Sequence, residues 1–93
     1  MVNRPKKRTG KSVIAGIIIP AKWDNTGNVT GVTIQTNDEK VYLVEQTKMG
    51  EELLGLIRQK VEATGKIRER LDGNTIISVQ DYKTIDEPLK NYI

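Results

Sequence analysis

Residues 41–70 read VYLVEQTKMGEELLGLIRQKVEATGKIRER, and the spacing of the apolar side chains changes twice along this stretch. Val41 to Gln46 reads as a strand. Met49, Leu53, Leu56 and Ile57 then fall at i, i+4, i+7 and i+8, which places them on one face of a helix. Thr47 stands where an N-cap belongs, and Glu51 and Glu52 suit the positive end of the helix dipole. Arg58 and Lys60 have the favourable sign for its C-terminal end. Gly50 and Gly55 weaken this helix by about 1 kcal/mol each relative to Ala, so packing against the rest of the molecule must hold it. From Val61 the period returns to two. Val61, Ala63, Gly65 and Ile67 point one way, and Glu62, Thr64, Lys66 and Arg68 the other.

Working outward, residues 75–82 (TIISVQDY) form a partner strand with Ile77 and Val79 inward, reached through the tight turn Leu71-Asp72-Gly73-Asn74. Upstream, Val29 to Thr36 alternates Val32 and Ile34 against Thr33 and Gln35. Residues 37–40 (NDEK) turn it into the Val41 strand as a hairpin. Ser12 to Pro20 is a β-branched run interrupted by Gly16, and Ala21 to Asn28 is a polar loop. The order is three strands, a helix, two strands. Five short strands leave exposed edges unless the sheet closes on itself, and Gly16, Gly31 and Gly65 are where long strands would bend to close it. The expected fold class is therefore all-β with one short helix, a five-stranded barrel in the order β1-β2-β3-α-β4-β5. It spans residues 12–85, between a basic, disordered arm (1–11) and a C-terminal tail (86–93).

Composition narrows the chemistry. The chain has 93 residues with no cysteine and no histidine, which removes disulfides, thiolate ligands, Cys nucleophiles and the usual general base. Ser12 and Ser78 have no His to activate them, and Glu51 and Glu52 diverge on the helix. Asp24-Asn25-Thr26-Gly27-Asn28 lacks the alternating acids and the final bidentate Glu of a calcium loop. Gly10-Lys11-Ser12 lacks the preceding glycine and following helix of a phosphate-binding loop. The expectation is a non-enzyme without cofactor or metal.

Net charge is +3, but Arg4, Lys6, Lys7, Arg8 and Lys11 supply five positive charges in the first 11 residues with no acid among them. The remainder is therefore slightly acidic. Such an arm attracts phosphate backbones or anionic lipid headgroups; a solvated terminus that aids solubility is the plainer reading. Basic residues ahead of the apolar run Val13 to Ile19, with Ala21 behind it, also imitate a secretory signal. The β-branched content suits a strand better, so a cytoplasmic protein is expected, with export the alternative. The run is too short to span a bilayer.

The first strand with Gly16, the polar first loop, the hairpin, the intervening helix and the rhythm VEATGKIRE…DGNTIISVQDY of residues 61–82 together resemble the OB-fold. The closest likeness is to small single-domain bacterial OB proteins of unassigned function. The resemblance implies a ligand surface across the outer face of strands two and three, bordered by the first loop and the loop between strands four and five. On this chain that surface would carry Lys22 and Trp23, Thr33 and Gln35, Tyr42, and the row Lys66, Arg68 and Arg70. Rings that stack on bases and cations that follow phosphates suit single-stranded nucleic acid.

Each residue has an alternative role. Trp23 could close one end of the barrel. Tyr42 is exposed if Val41 and Leu43 point inward, the register expected here, and is buried beside Val44 if the register slips by one. Lys66, Arg68 and Arg70 could be an ordinary solvated face. The expected function is a weak, low-specificity binder of single-stranded DNA or RNA. A protein-interaction module without nucleic acid is the alternative, which a neutral, apolar strand face would favour.

Overall fold

A computed structural model describes residues 11–85. The expected basic residues Arg4, Lys6, Lys7 and Arg8, and the tail 86–93, lie outside the described residues. The strands are β1 (Lys11–Trp23), β2 (Val29–Thr36), β3 (Val41–Val44), β4 (Lys60–Glu69) and β5 (Thr75–Thr84), with a helix α1 (Lys48–Glu52) between β3 and β4 that continues as a 3-10 turn, Leu53–Leu56. They form one closed barrel in the spatial order β1-β2-β3-β5-β4. The layout is OB-like, as the order of elements predicts.

Closure depends on β1 serving two partners. Its first half pairs antiparallel with β4, from Lys11↔Lys66 to Ile17↔Lys60, and its second half with β2, from Gly16↔Thr36 to Trp23↔Val29. Gly16 lies where the two pairings overlap. A Cβ there would stand 2.4 Å from the Gln35 carbonyl oxygen, so only glycine lets the chains approach this closely. The last seam is the parallel pair β3–β5, with Leu43↔Ile76 and Val44↔Ile77 in register. It is extended by the Glu45 N–H donating to the Ile77 carbonyl at 2.9 Å.

The interior is aliphatic: Ile18, Val32, Ile34, Val44, Leu53, Val61, Ala63, Ile77 and Val79 form one cluster. Ile18, Ile34, Leu53, Val61 and Ile77 are fully buried, each worth about 1.5–3 kcal/mol of transfer free energy. Leu53 is the plug, and Met49, Leu56 and Ile57 pack half-buried around it.

The helix is shorter than the apolar spacing predicts. Thr47 caps it as expected, its hydroxyl accepting from the Gly50 N–H at 3.1 Å, and Glu51 sits in the first turn. After Glu52 the chain tightens into the 3-10 turn. The Arg58 N–H then donates to the Ile18 carbonyl at 2.8 Å and the Ile18 N–H to the Gln59 carbonyl at 3.1 Å. Pairing with β1 thus claims the backbone before another helical turn can form, and Arg58 adopts a positive φ of 71°. Arg58 and Lys60 consequently do not close a helix; Lys60 opens β4.

Candidate functional site

Two rows of outward side chains cross β1, β2 and β3: Ile17, Gln35 and Val41 in one, and Ile19, Thr33 and Leu43 in the other. The second row continues over the seam through Ile76 to Arg68. This parity corrects the expected register of β3. Tyr42 pairs with Ile34 and packs half-buried against the core beside Val44, while Val41 remains 47% exposed. Tyr42 therefore offers no ring to the outer face. Thr33 is corrected as well: it is only 6% exposed, lies between Ile19 and Leu43, and its hydroxyl donates to the Ile19 carbonyl at 3.4 Å. Gln35 is exposed as expected, flanked by Ile17 and Val41.

Toward the first loop the same face opens into a groove of about 300 Å³. Lys22 forms one wall and Arg68 and Arg70 the other, above a floor that includes Gly31, Leu43 and Ile76. Lys22 enters the groove because β1 is irregular between Pro20 and Trp23, where its register against β2 shifts twice. Its stem lies over Gly31: a Cβ on Gly31 would meet the Lys22 Cβ and Cδ at 3.3 Å. Arg68 and Arg70 reach the opposite wall because β4 alternates as its sequence predicts, with Ile67 turned to the core.

The three cations differ in their surroundings. Lys22 has no ion-pair partner among the described residues. The Arg70 Nε stands 3.8 Å from the Asp72 carboxylate, a loose pair between half-exposed side chains. The Arg68 Nη1 donates to Glu45 Oε1 at 2.9 Å. Gln46, next along the rim, donates from Nε2 to the Thr30 carbonyl at 3.2 Å and braces β2 against the end of β3.

The loops at either side are internally tied. In the first loop Asp24 Oδ1 accepts from the Thr26 N–H at 2.9 Å, the Thr26 hydroxyl at 2.8 Å and the Asn28 N–H at 3.0 Å. The Thr26 hydroxyl, followed by the Asn28 and Thr26 backbone donors, lowers the Asp24 pKa below the ordinary carboxylate value. This tie is complete above the ordinary carboxyl range and is lost as pH falls through the depressed folded-state value. A carbon-detected NMR titration should therefore place the Asp24 midpoint below that of a free peptide of residues 22–29; equal midpoints would contradict the tie. Trp23, immediately before this loop, is 57% exposed. In the β4–β5 loop, Asp72 accepts from the Asn74 N–H at 3.0 Å. That bond, supported by the charge of Arg70, lowers the Asp72 pKa. Leu71 at the loop tip is fully exposed.

Of the residues expected at the ligand surface, the structure brings Lys22, Arg68 and Arg70 into one groove; Trp23 is exposed but does not line it. Lys66 is exposed and lies across from Lys11 and Ser78, outside the groove lining. Glu45, Leu43 and Ile76 were not singled out from the sequence. They reach the groove through the parallel β3–β5 seam, for which the local sequence carries no signal. Among the described residues no group of three or more acidic side chains is placed to hold a metal ion, and no helix is long and apolar enough to cross a membrane. No protein-family model matches the chain, and no curated protein matches it at a significant level.

Proposed function

We propose that this protein is an OB-fold binding module that takes single-stranded nucleic acid, weakly and with little sequence preference, in the groove between Lys22 and Arg68/Arg70. The observation that carries the reading is the opposition of cations on both walls across an apolar floor of Leu43 and Ile76. A base can lie on the floor while its phosphates meet the walls, and the exposed Trp23, next to Lys22 in the chain, offers a ring for a neighbouring base. With three cations and one carboxylate around the groove, affinity should be modest and sensitive to salt. The basic arm adds to the attraction, and no catalytic step is involved. The reading implies a cytoplasmic protein.

A fluorescein-labelled oligo-dT titrated at several salt concentrations tests this. Binding should weaken with salt, and Lys22→Ala with Arg70→Ala should lower the salt slope by about 1.4, the value for two lost phosphate contacts on a single strand. Absence of binding at low salt would overturn the reading. A protein partner is the second reading, favoured by the row in which Ile17 and Val41, 42% and 47% exposed, flank Gln35. For that reading, a partner recovered from a lysate should be lost with Ile17→Ser and retained with Lys22→Ala.

A further inference from the structure

We infer that Glu45 is an internal competitor for the groove's anion site, occupying Arg68 in place of the ligand's phosphate and thereby setting the affinity of the module. The inference rests on the nucleic-acid reading of the groove and deepens it. Arg68 is central to the cationic wall: it stands opposite Ile76 of the floor and is 59% exposed, within reach of a ligand. Its Nη1 is directed at Glu45 Oε1 at 2.9 Å, the geometry a phosphate oxygen would take. Glu45 is held there by its own backbone, whose N–H donates to the Ile77 carbonyl at 2.9 Å at the end of the β3–β5 seam. The carboxylate is thus delivered to the groove by the barrel closure itself. Among the described residues Lys22 has no such partner, and Arg70 has only the 3.8 Å pair with Asp72. Of the three cations, Arg68 alone is therefore engaged at hydrogen-bond distance by a described residue. A phosphate entering between the walls must displace Glu45 from Arg68 or do without that contact. A surface ion pair of this kind is weak enough to be exchanged.

The test uses the full chain, fluorescein-labelled oligo-dT and a salt series, comparing the unaltered protein with Glu45→Gln, Glu39→Gln, Lys22→Ala and the double variant Glu45→Gln/Arg68→Gln. Glu39 is an exposed carboxylate of the β2–β3 turn outside the groove lining, so Glu39→Gln reproduces the change in net charge alone. Glu45→Gln should bind several-fold tighter at low salt, with a salt slope steeper by about 0.7, one added phosphate contact. Glu39→Gln should match the unaltered protein, and the double variant should lose the gain. If Lys22→Ala weakens binding but Glu45→Gln binds no tighter than the unaltered protein or than Glu39→Gln, the competitor role is overturned and the groove reading stands. If neither the unaltered protein nor Glu45→Gln binds at low salt, the groove reading fails and takes this inference with it.

Discussion

Gly65→Ala is expected to cost about 3 kcal/mol of stability, at the upper end of what a forced side chain imposes on a packed interior. A Cβ at position 65 would stand 2.1 Å from the Ser78 carbonyl oxygen, 2.8 Å from its carbon and 3.0 Å from the Val79 Cα. All three are backbone atoms of β5, so relief requires moving the strand rather than rotating a side chain. The site also adjoins the one irregularity of the β4–β5 pairing, where the register shifts between Thr64 and Gly65. Displacing β5 here strains the seam that carries Ile76, Ile77 and Glu45. Gly55→Ala is the matched comparison. Nothing lies within 4 Å of a Cβ on Gly55, so this substitution should be neutral or stabilise by up to about 1 kcal/mol through the unfolded chain. Urea denaturation monitored by Trp23 fluorescence reads both, and a Gly65→Ala midpoint equal to that of the unaltered protein would refute the close approach.

Leu53→Ala should be comparably damaging, at about 3 kcal/mol, within the range for large-to-small changes at fully buried sites. Leu53 is 0% exposed and begins the 3-10 turn, so its truncation leaves a cavity at the end of the barrel that α1 covers. The short helix cannot shift inward to fill it. It is held by the Thr47 cap and by Gly50, where a Cβ would stand 2.4 Å from the Glu45 carbonyl oxygen. For a domain of this size the loss corresponds to a fall in Tm of more than about 10 °C by calorimetry. Leu54→Ala, at a half-buried neighbour, should cost clearly less; equal losses at the two positions would show that Leu53 is not the plug.

Local periodicity sufficed for much of this architecture. The alternation of Val61, Ala63, Gly65 and Ile67 against Lys66 and Arg68 specified which face of β4 is polar, because inverting it would expose four core positions together. The turns at 37–40 and 71–74 were legible from Asn, Asp and Gly, and the N-cap from Thr47. Gly16 and Gly65 were recognisable as places where strands bend or approach closely. On the site, the same alternation delivered Arg68 and Arg70; Lys22 and Trp23, expected in the first loop, stand instead at the irregular end of β1, which runs on to Trp23.

Long-range pairing settled the rest. VYLV reads equally well in two registers offset by one residue, so the choice that turns Tyr42 inward and Val41 outward comes from pairing Ile34 with Tyr42 and Leu43 with Ile76. Thr33 is covered because Ile19 and Leu43 flank it from strands far apart in the chain. The helix ends early because β1 competes for the backbone of Arg58 and Gln59. Glu45 meets Arg68 only because a parallel seam joins β3 to β5 across 32 intervening residues, from Val44 to Ile77. Spacing along a chain encodes the faces of single elements; contacts across a closed barrel depend on which strands meet, and that follows from burying all five inner faces at once.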